Sequence, residues 1–477
     1  MSFGINNINN YNISQYKPVV STEKNEQPKT CSNPINSQKS ADIPFNGFFG
    51  DIFTINRFSS KNEKIAYNEL NSLLPDADKK KLDILLKTGK LLNKSSNDAS
   101  STLDNLYKIA KTPRTRGLDT QKILSDTISI LANPHQITQK FGKLPLSTAQ
   151  QIMDEEKNKV LYDGLGLSSA QNKKPNDPQF AEDINVDNSG CCVAASIEFN
   201  LADKKPAEFA RYVEGLTGPE NAVKINMHFK DISTNFVDAM NILNKFNVKF
   251  KALSWENTEV QISPDRNAIV RARAQGTYQD PLIRNYVDTL MQSTFMQLGS
   301  QGTYNTLTDK RYGSFNTNDK GLTELEKNFT ETVVDNDGGK TSVTYQNVDD
   351  NAKLIGYNND YNTVLSHLQK TIESGSNVII GITEVDEASK IIGGHEITIT
   401  GMRKDKNNEL YFICNDTDDD YIGDNEIKAT DLIPKIHHAG IPNKILNQNE
   451  DMDSGFELLK EYEQAHKQPQ QAPTLPA

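Results

Sequence analysis

Apolar residues recur every three or four positions through the first third of the chain, the spacing that places them on one face of an α-helix. This spacing predicts helices over residues 82–92, 103–111, 120–132 and 145–161. Pro134 ends the third of these helices, and Pro145 lies in the first turn of the fourth. We therefore expect residues 48–160 to form an all-α domain. The pattern leaves open whether this domain is a propeptide, a partner-docking module or a scaffold.

The pattern after about residue 165 mixes helical spacing with strand-like alternation. Helices are predicted over residues 192–202, 206–218, 233–247, 281–299 and 361–375, and strands over 222–229, 248–255, 340–348, 377–383, 395–402 and 409–416. The last two strands are joined by a short charged turn and are expected to pair antiparallel. Because helices come first and antiparallel strands last, the order indicates an α+β fold.

Three segments have compositions that predict loops or tails. Residues 300–321 are rich in Gly, Asn and Thr and predict a long loop that is either functional or disordered. Residues 1–47 are too polar to offset the entropy of ordering them, so we expect a disordered N-terminal tail. Residues 446–477 are expected to form a C-terminal tail.

The composition of the chain argues against several classes of protein. A net charge of −11 over 477 residues argues against general nucleic-acid binding. No apolar run reaches the roughly 20 residues of a membrane helix, and the N-terminus lacks the basic and apolar regions of a Sec signal. Four cysteines are too few to staple a secreted fold of this length. We expect a soluble protein, cytoplasmic or exported without a Sec signal, with neither a nucleic-acid nor a membrane partner.

Two of the four cysteines, Cys191 and Cys192, are adjacent and lie at the start of a predicted helix. The N-terminus of a helix carries partial positive charge, which favours a thiolate. The small residues after the pair let a substrate carbonyl approach the Cys192 backbone N–H, as an oxyanion hole requires. Because a free cysteine is also a small hydrophobic residue that cores often contain, the pair alone leaves both interpretations open.

His395 follows two glycines and opens a predicted strand, a position at the rim of a cleft. The next strand ends at Asn415 and Asp416, which an antiparallel hairpin would bring back beside His395. A histidine that acts as a base needs such a third group to fix its tautomer and orientation. Asn415 and Asp416 are both candidates for this role, and the alternative is a purely structural His395.

Three stretches of the sequence together resemble the papain-like cysteine peptidases: GCCVAAS (190–196), GGHEITITG (393–401) and YFICNDT (411–417). The closest resemblance is to the bacterial branch that is similar to bacteriocin leader peptidases. It implies a papain-like fold, with a helical half against an antiparallel β half, for residues 161–445.

The resemblance also assigns roles to particular residues. It implies Cys192, and not Cys191, as the nucleophile, His395 as the base, and Asp416 in preference to Asn415 as the residue that orients the base. On this basis we expect a cysteine-dependent hydrolase that cleaves peptide or amide bonds of a protein or peptide substrate through a thioester. The alternatives are acyl transfer or deamidation by the same triad, as in transglutaminases, and a non-catalytic interaction protein, such as an exported effector. The oligomeric state stays open.

The chain departs from the papain-like pattern in two respects. Nucleophile and base are 203 residues apart (395 − 192), against roughly 130–150 in papain-type enzymes, which implies a large insertion at 220–350. The family's oxyanion glutamine is replaced by Val186, which leaves Asn185, Asn188 or backbone N–H groups alone to stabilise an oxyanion. The insertion offers candidate substrate contacts: Tyr278, Arg284, Tyr304 and Arg311.

Two stretches invite a metal-binding interpretation. Aspartates alternate over 416–426 as in a calcium loop, but Tyr421 and Ile427 stand where an EF-hand needs Gly and Glu, so a solvated acidic turn is favoured. His437-His438 and Cys414 lack the spacing of a zinc site, and adjacent side chains are expected to diverge. We therefore expect no metal and no other cofactor.

Overall fold

The computed structural model describes residues 58–142, 190–228, 231, 258–277, 283–300, 302–311, 321–419 and 423–446. Eleven α-helices lie within these residues: α1 Lys61–Leu73, α2 Asp76–Lys87, α3 Thr102–Lys111, α4 Thr120–Ala132, α5 Cys192–Lys204, α6 Pro206–Thr217, α7 Ala268–Gln275, α8 Tyr286–Gly299, α9 Glu324–Asp335, α10 Tyr361–Glu373 and α11 Ala429–Leu432. None of the helices in this part of the chain is long and apolar enough to span a membrane.

The described residues also contain twelve strands: β1 Val223–Met227, β2 Thr258–Ile262, β3 Tyr304–Asn305, β4 Lys310–Arg311, β5 Lys340–Thr344, β6 Gln346–Val348, β7 Leu354–Tyr357, β8 Val378–Val385, β9 Ile391–Lys404, β10 Leu410–Asn415, β11 Asn425–Lys428 and β12 Ile436–Pro442. Six of them form an antiparallel sheet in the order β11-β10-β9-β8-β12-β5. The others form three antiparallel pairs, β1-β2, β3-β4 and β6-β7. The expected combination of helices with antiparallel sheets is confirmed.

The six-stranded sheet lies between two hydrophobic cores. Successive side chains of a strand point to opposite faces of a sheet. Along β8, Val378 and Ile380 accordingly pack with Leu368 of α10 in one core, whereas Ile379 belongs to the core that α5 occupies. Helix α5 packs directly on β9. Helix α5, which begins at Cys192, therefore lies against the strand that carries His395. Asp416 directly follows the neighbouring strand, β10.

The helices of residues 58–142 share the α5 core. Helix α3 packs on α6, and α4 packs on α8. Leu106 of α3 and Ile128 of α4 are fully buried in the same cluster as Phe209 of α6 and Met291 of α8. The domain boundary predicted near residue 160 lies outside the described residues.

Many predicted elements form where the hydrophobic pattern places them, but several differ. The helix predicted over 82–92 ends at Lys87, because Gly89 has a left-handed backbone conformation (φ 79°) and a separate 3₁₀ turn, Lys90–Leu92, follows. The long loop predicted over 300–321 contains the buried β3-β4 hairpin. The strand predicted over 340–348 is divided into β5 and β6, which belong to different sheets. Helices α7, α9 and α11 and strands β2, β7, β11 and β12 were not predicted.

Several predictions fall outside the described residues. These are the tail over 1–47, the helices over 145–161 and 233–247, the strand over 248–255, and nearly all of the C-terminal tail over 446–477.

Candidate active site

Cys192 is the first residue of α5, and Cys191 is its N-cap residue. The first backbone hydrogen bond of the helix runs from the Ala195 N–H to the Cys191 carbonyl at 2.8 Å. The N–H of Cys192 precedes this bond and therefore has no intrahelical acceptor. Because a helix N-terminus carries partial positive charge, the half-buried Cys192 thiol lies where a negative charge is stabilised.

Cys191 anchors the start of α5 in the protein interior. Its Sγ lies 3.2 Å from the Tyr304 hydroxyl and donates to Oδ1 of Asp309, also at 3.2 Å. Tyr304 donates to the same oxygen at 2.7 Å, and the Gly190 N–H donates to Oδ2 of Asp309 at 2.7 Å. Burial raises the pKa of the Cys191 thiol, so this cysteine stays protonated and serves as a packed hydrogen-bonding residue.

Arg284 supplies a buried positive charge beside this cluster. Its Nη2 lies 3.9 Å from Oδ1 of Asp309, and both side chains are fully buried. The Nε and Nη2 groups of Arg284 also donate to the Gln139 carbonyl, at 3.0 and 2.8 Å. Arg284 therefore joins the anchor of α5 to the segment that follows α4.

The structure corrects the expectation that the insertion residues contact substrate. Arg284, Tyr304 and Arg311 are all buried. Tyr304 belongs to the Cys191 cluster, and Nη2 of Arg311 lies 2.6 Å from Oε1 of Glu326. These polar side chains form hydrogen bonds and ion pairs inside the protein. The sequence alone does not show whether such side chains are buried in pairs or exposed to solvent. Tyr278 lies outside the described residues.

Strand β9 begins at Ile391, so the prediction that His395 opens the strand was wrong, because Gly393 and Gly394 also pair with β8. His395 lies within β9 opposite Ile382 of β8. Its Nε2 is 2.7 Å from Oδ1 of Asp416, and the Asp418 N–H donates to the same oxygen at 2.9 Å. Burial opposes the charged imidazole, but hydrogen bonds with Asp416 and Cys192 outweigh it and raise the pKa of His395 to about 11. Burial likewise opposes ionisation of Asp416, but the hydrogen bond with His395 lowers the pKa of this carboxyl below its usual value.

The three side chains Cys192, His395 and Asp416 thus interact in one place. Because Asp416 occupies Nε2 of the imidazole, Nδ1 is the ring nitrogen left for the Cys192 thiol. A protonated imidazole beside a thiol at a helix N-terminus can hold the sulfur as a thiolate.

Asn415, the other candidate for orienting the base, has a different partner. It lies opposite Thr398 in the β9-β10 pairing and is buried. Its Nδ2 lies 3.1 Å from Nδ1 of His135, whose Nε2 is 3.7 Å from Oδ1 of Asp424. The geometry therefore brings Asp416, and not Asn415, to His395.

The loop after Asp416 is held by the segment that follows α4. The Gln139 N–H donates to the Thr417 carbonyl at 3.0 Å, and the Thr138 hydroxyl donates to the same oxygen at 3.3 Å. Gln292 of α8 binds this segment from the other side, donating to the Thr138 carbonyl at 2.9 Å. The segment after α4 therefore contributes directly to the position of the loop that begins at Asp416.

The remaining sequence candidates are placed as follows. Asn185 and Asn188 lie outside the described residues. In the acidic stretch 416–426, Asp416 is engaged by His395, and its described members are not among the groups that could hold a metal ion. His437 and His438 were expected to diverge, and this was wrong. Their ring centroids are 5.5 Å apart, and both face Glu324.

Sequence reasoning missed the residues that support the site. Asp309, His135 and Gln139 lie far from Cys192 and His395 along the chain, and no spacing pattern connects them. Asp309 has a left-handed backbone conformation (φ 51°), which Asp tolerates better than most residues. An Asp in a turn is therefore the one weak signal that the sequence offers for these three residues.

Comparisons with protein-family models, with curated proteins and with solved structures give no match for this chain. The geometry of the site is therefore the basis for any assignment of function.

Proposed function

We propose that this protein is a cysteine-dependent hydrolase that cleaves peptide or amide bonds, with Cys192 as nucleophile, His395 as base and Asp416 as the residue that orients the base. The observation that carries the proposal is the contact of His395 with both partners: Asp416 at 2.7 Å on Nε2, and the Cys192 thiol. In nucleophilic hydrolases the nucleophile generally contacts the base, and the base contacts a third group that orients it.

The proposed reaction has two stages. The Cys192 thiolate attacks the substrate carbonyl carbon, and the resulting tetrahedral intermediate collapses to a thioester as the C–N bond breaks. Protonated His395 gives its proton to the leaving amine. The neutral imidazole then takes a proton from water, the hydroxide oxygen attacks the thioester, and the acid is released with the thiolate restored. Asp416 stabilises the imidazolium and keeps its tautomer fixed.

Backbone N–H groups at the start of α5 are proposed to stabilise the oxyanion. The Cys192 N–H has no intrahelical acceptor and lies beside the sulfur. A donor placed where charge develops in the transition state contributes about 3–4 kcal/mol in known oxyanion holes. The hydrogen bond from Gly190 to Asp309 fixes the backbone just before this donor.

The arrangement of elements supports a papain-like fold for residues 161–445. The cysteine begins a buried helix, α5, that packs on an antiparallel sheet. The histidine lies on β9 of that sheet, and the aspartate follows the end of the neighbouring strand β10. The papain-like peptidases that the sequence motifs resemble have this order.

A peptide library tests the proposal with no substrate chosen in advance. Peptides derived from a proteome are incubated with the full-length protein, and new termini are identified by mass spectrometry. Wild type is expected to generate new termini, whereas Cys192→Ala is expected to generate none. Cys31→Ser is the matched control for loss of a thiol and is expected to generate the same termini as wild type. Equal cleavage by wild type and Cys192→Ala would contradict the proposal.

The same samples separate hydrolysis from related chemistries. Incorporation of an added primary amine, or glutamine deamidation without new termini, would replace the hydrolase by an acyl transferase or a deamidase with the same triad. No product of any kind would contradict an enzymatic role and favour an interaction protein.

A further inference from the structure

Three side chains that can bind metal ions converge away from the cysteine site: Glu324 of α9 and His437 and His438 of β12. Oε2 of Glu324 lies 4.0 Å from Nε2 of His437 and 4.0 Å from Nδ1 of His438. All three ligand atoms lie within 4.8 Å of one another, and this is the one such group of three within the described residues. Both imidazoles are more than nine-tenths buried.

A β-bulge explains how adjacent histidines can face the same ligand. In a regular strand their side chains would point to opposite faces of the sheet. The pairing of β12 with β8 shifts register between Ile436 and His438. Such a bulge bends the strand and re-aims a side chain, so both rings reach Glu324.

The surrounding residues orient the three ligands. Nε2 of His438 lies 2.8 Å from Oε1 of Glu396, an ion-pair distance. The other ring nitrogen, Nδ1, is the one 4.0 Å from Oε2 of Glu324, and it is buried with no hydrogen-bond partner among the described residues. Oε1 of Glu324 accepts hydrogen bonds from Ser342 and Thr344 at 2.8 and 2.6 Å, which leaves Oε2 for the centre. A carboxylate on the far nitrogen of a histidine is the usual partner of a metal ligand.

Gly381 provides the space that the His438–Glu396 pair needs. A Cβ at this position would lie 2.3 Å from Cε1 of His438 and 2.7 Å from Oε1 of Glu396. The pair therefore depends on a glycine in the buried strand β8. The net charge around the cluster also favours a cation, because it contains two carboxylates, Glu324 and Glu396, and one ammonium group, that of Lys327. Nζ of Lys327 lies 3.1 Å from Oε2 of Glu396.

We propose that Glu324, His437 and His438 bind a divalent transition-metal ion of the zinc class. Two imidazole nitrogens and one carboxylate are a ligand set that Zn²⁺ uses, with the fourth position open to water or another ligand. Ligands of a tetrahedral Zn²⁺ are about 3.3 Å apart at ordinary bond lengths. The two 4.0 Å separations from Glu324 therefore need to close by less than 1 Å, and the two histidine nitrogens, which lie within 4.8 Å of each other, by at most about 1.5 Å. The bound ion would tie the start of α9 to β12. None of its ligands belongs to the proposed catalytic residues, so this proposal stands independently of the proposed function.

Zinc titration of full-length protein tests the site. The protein carries Cys192→Ala, because a thiol beside an imidazole is itself able to capture Zn²⁺. After treatment with a chelator and its removal, Zn²⁺ is titrated by isothermal titration calorimetry. One Zn²⁺ is expected to bind per chain, and Zn²⁺ is expected to raise the unfolding temperature because it binds the folded state.

Matched variants locate the bound ion. Glu324→Gln and His437→Gln, in the same Cys192→Ala protein, are expected to weaken Zn²⁺ binding at least about tenfold. The controls Glu409→Gln and His367→Gln change the same residue types outside the cluster and are expected to leave the affinity unchanged. Affinities that are equal in all five proteins, or no saturable binding at one ion per chain, would overturn the proposal.

X-ray absorption spectroscopy identifies the ligands without any substitution in the cluster, so it tests the proposal even if the variants fail to fold. X-ray absorption at the zinc edge of the Cys192→Ala protein is expected to show nitrogen and oxygen ligands that include two imidazoles. Sulfur in the first coordination shell would place the ion on another cysteine and would equally overturn the proposal.

Discussion

Oδ1 of Asp416 lies 2.7 Å from Nε2 of His395, whereas the side chain of the preceding residue, Asn415, contacts His135. Asn415 is the last residue of β10, paired with β9 opposite Thr398, and Asp416 follows the strand end. The two residues therefore make separate contacts and are expected to have separable functions.

Asp416→Asn should lower the rate of peptide hydrolysis roughly 10²- to 10⁴-fold, because loss of the carboxylate removes both the fixed tautomer and the stabilisation of the imidazolium. The rate is measured on a peptide cleaved by wild type in the library experiment. Asn415→Ser is the control: it should cost stability, since Asn415 is buried, but far less activity. A greater loss of activity in Asn415→Ser than in Asp416→Asn would reverse the assignment.

Asp309→Asn should destabilise the protein by about 3–5 kcal/mol, because it leaves Arg284 buried without its counter-charge. Asn tolerates the left-handed backbone of this position (φ 51°), so the change leaves the backbone unstrained and removes the negative charge together with one of the two acceptor oxygens. Urea unfolding measures the free energy of unfolding. Exposed Asp350→Asn should change it by less than about 0.5 kcal/mol, and an effect of similar size at both positions would contradict the proposed buried pair.

The elements around the site differ in how well their sequence predicts them. Helix α10 and strands β8, β9 and β10 could be predicted because each has a regular apolar face. Helix α9 could not, because its buried face contains Lys327 and Glu331. These charges find partners inside the protein, such as the Ile379 carbonyl, to which Lys327 donates at 3.0 Å, and they interrupt the apolar pattern. Only the capping box of Thr323 and Glu326 marks the helix in the sequence.

Contacts between distant segments were equally hidden. Cys192 at the start of a helix and His395 directly after two glycines are local features that a motif can carry. The contact of Cys191 with Asp309 spans 118 residues, and no local pattern encodes such a pairing. For the same reason, Arg284 and Tyr304 looked like surface contacts and proved to be buried.

His395 should make the stability of the protein depend on pH. Its pKa is about 11 in the folded protein and 6.5 as the ordinary value, so between these values the imidazole holds a proton in the folded state and not in the unfolded state. Stability from this group is therefore complete below pH 6.5 and is lost as pH rises towards 11.

Urea unfolding of the Cys192→Ala and Cys192→Ala/His395→Gln proteins across this pH range measures the effect, because without the thiol no second ionisation offsets that of the imidazole and Asp416 still contacts His395. The difference in free energy of unfolding between the two proteins should be largest at the acid end, on the order of 2 kcal/mol for a charged hydrogen bond, and should shrink as pH rises. A difference that is constant with pH would show that folding does not raise the pKa of His395.

The most direct test of the thiolate is the rate at which each cysteine reacts with iodoacetamide at neutral pH, followed by mass spectrometry. Cys191 and Cys414 are buried, and burial raises the pKa of Cys414 to about 12, so both should be unreactive in the folded protein. An ordinary cysteine is only a few per cent thiolate at this pH, so Cys192 should react on the order of tenfold faster than Cys31. His395→Ala should abolish the difference. Equal rates at Cys192 and Cys31 in wild type, or a Cys192 rate that His395→Ala leaves unchanged, would contradict the proposed catalytic pair.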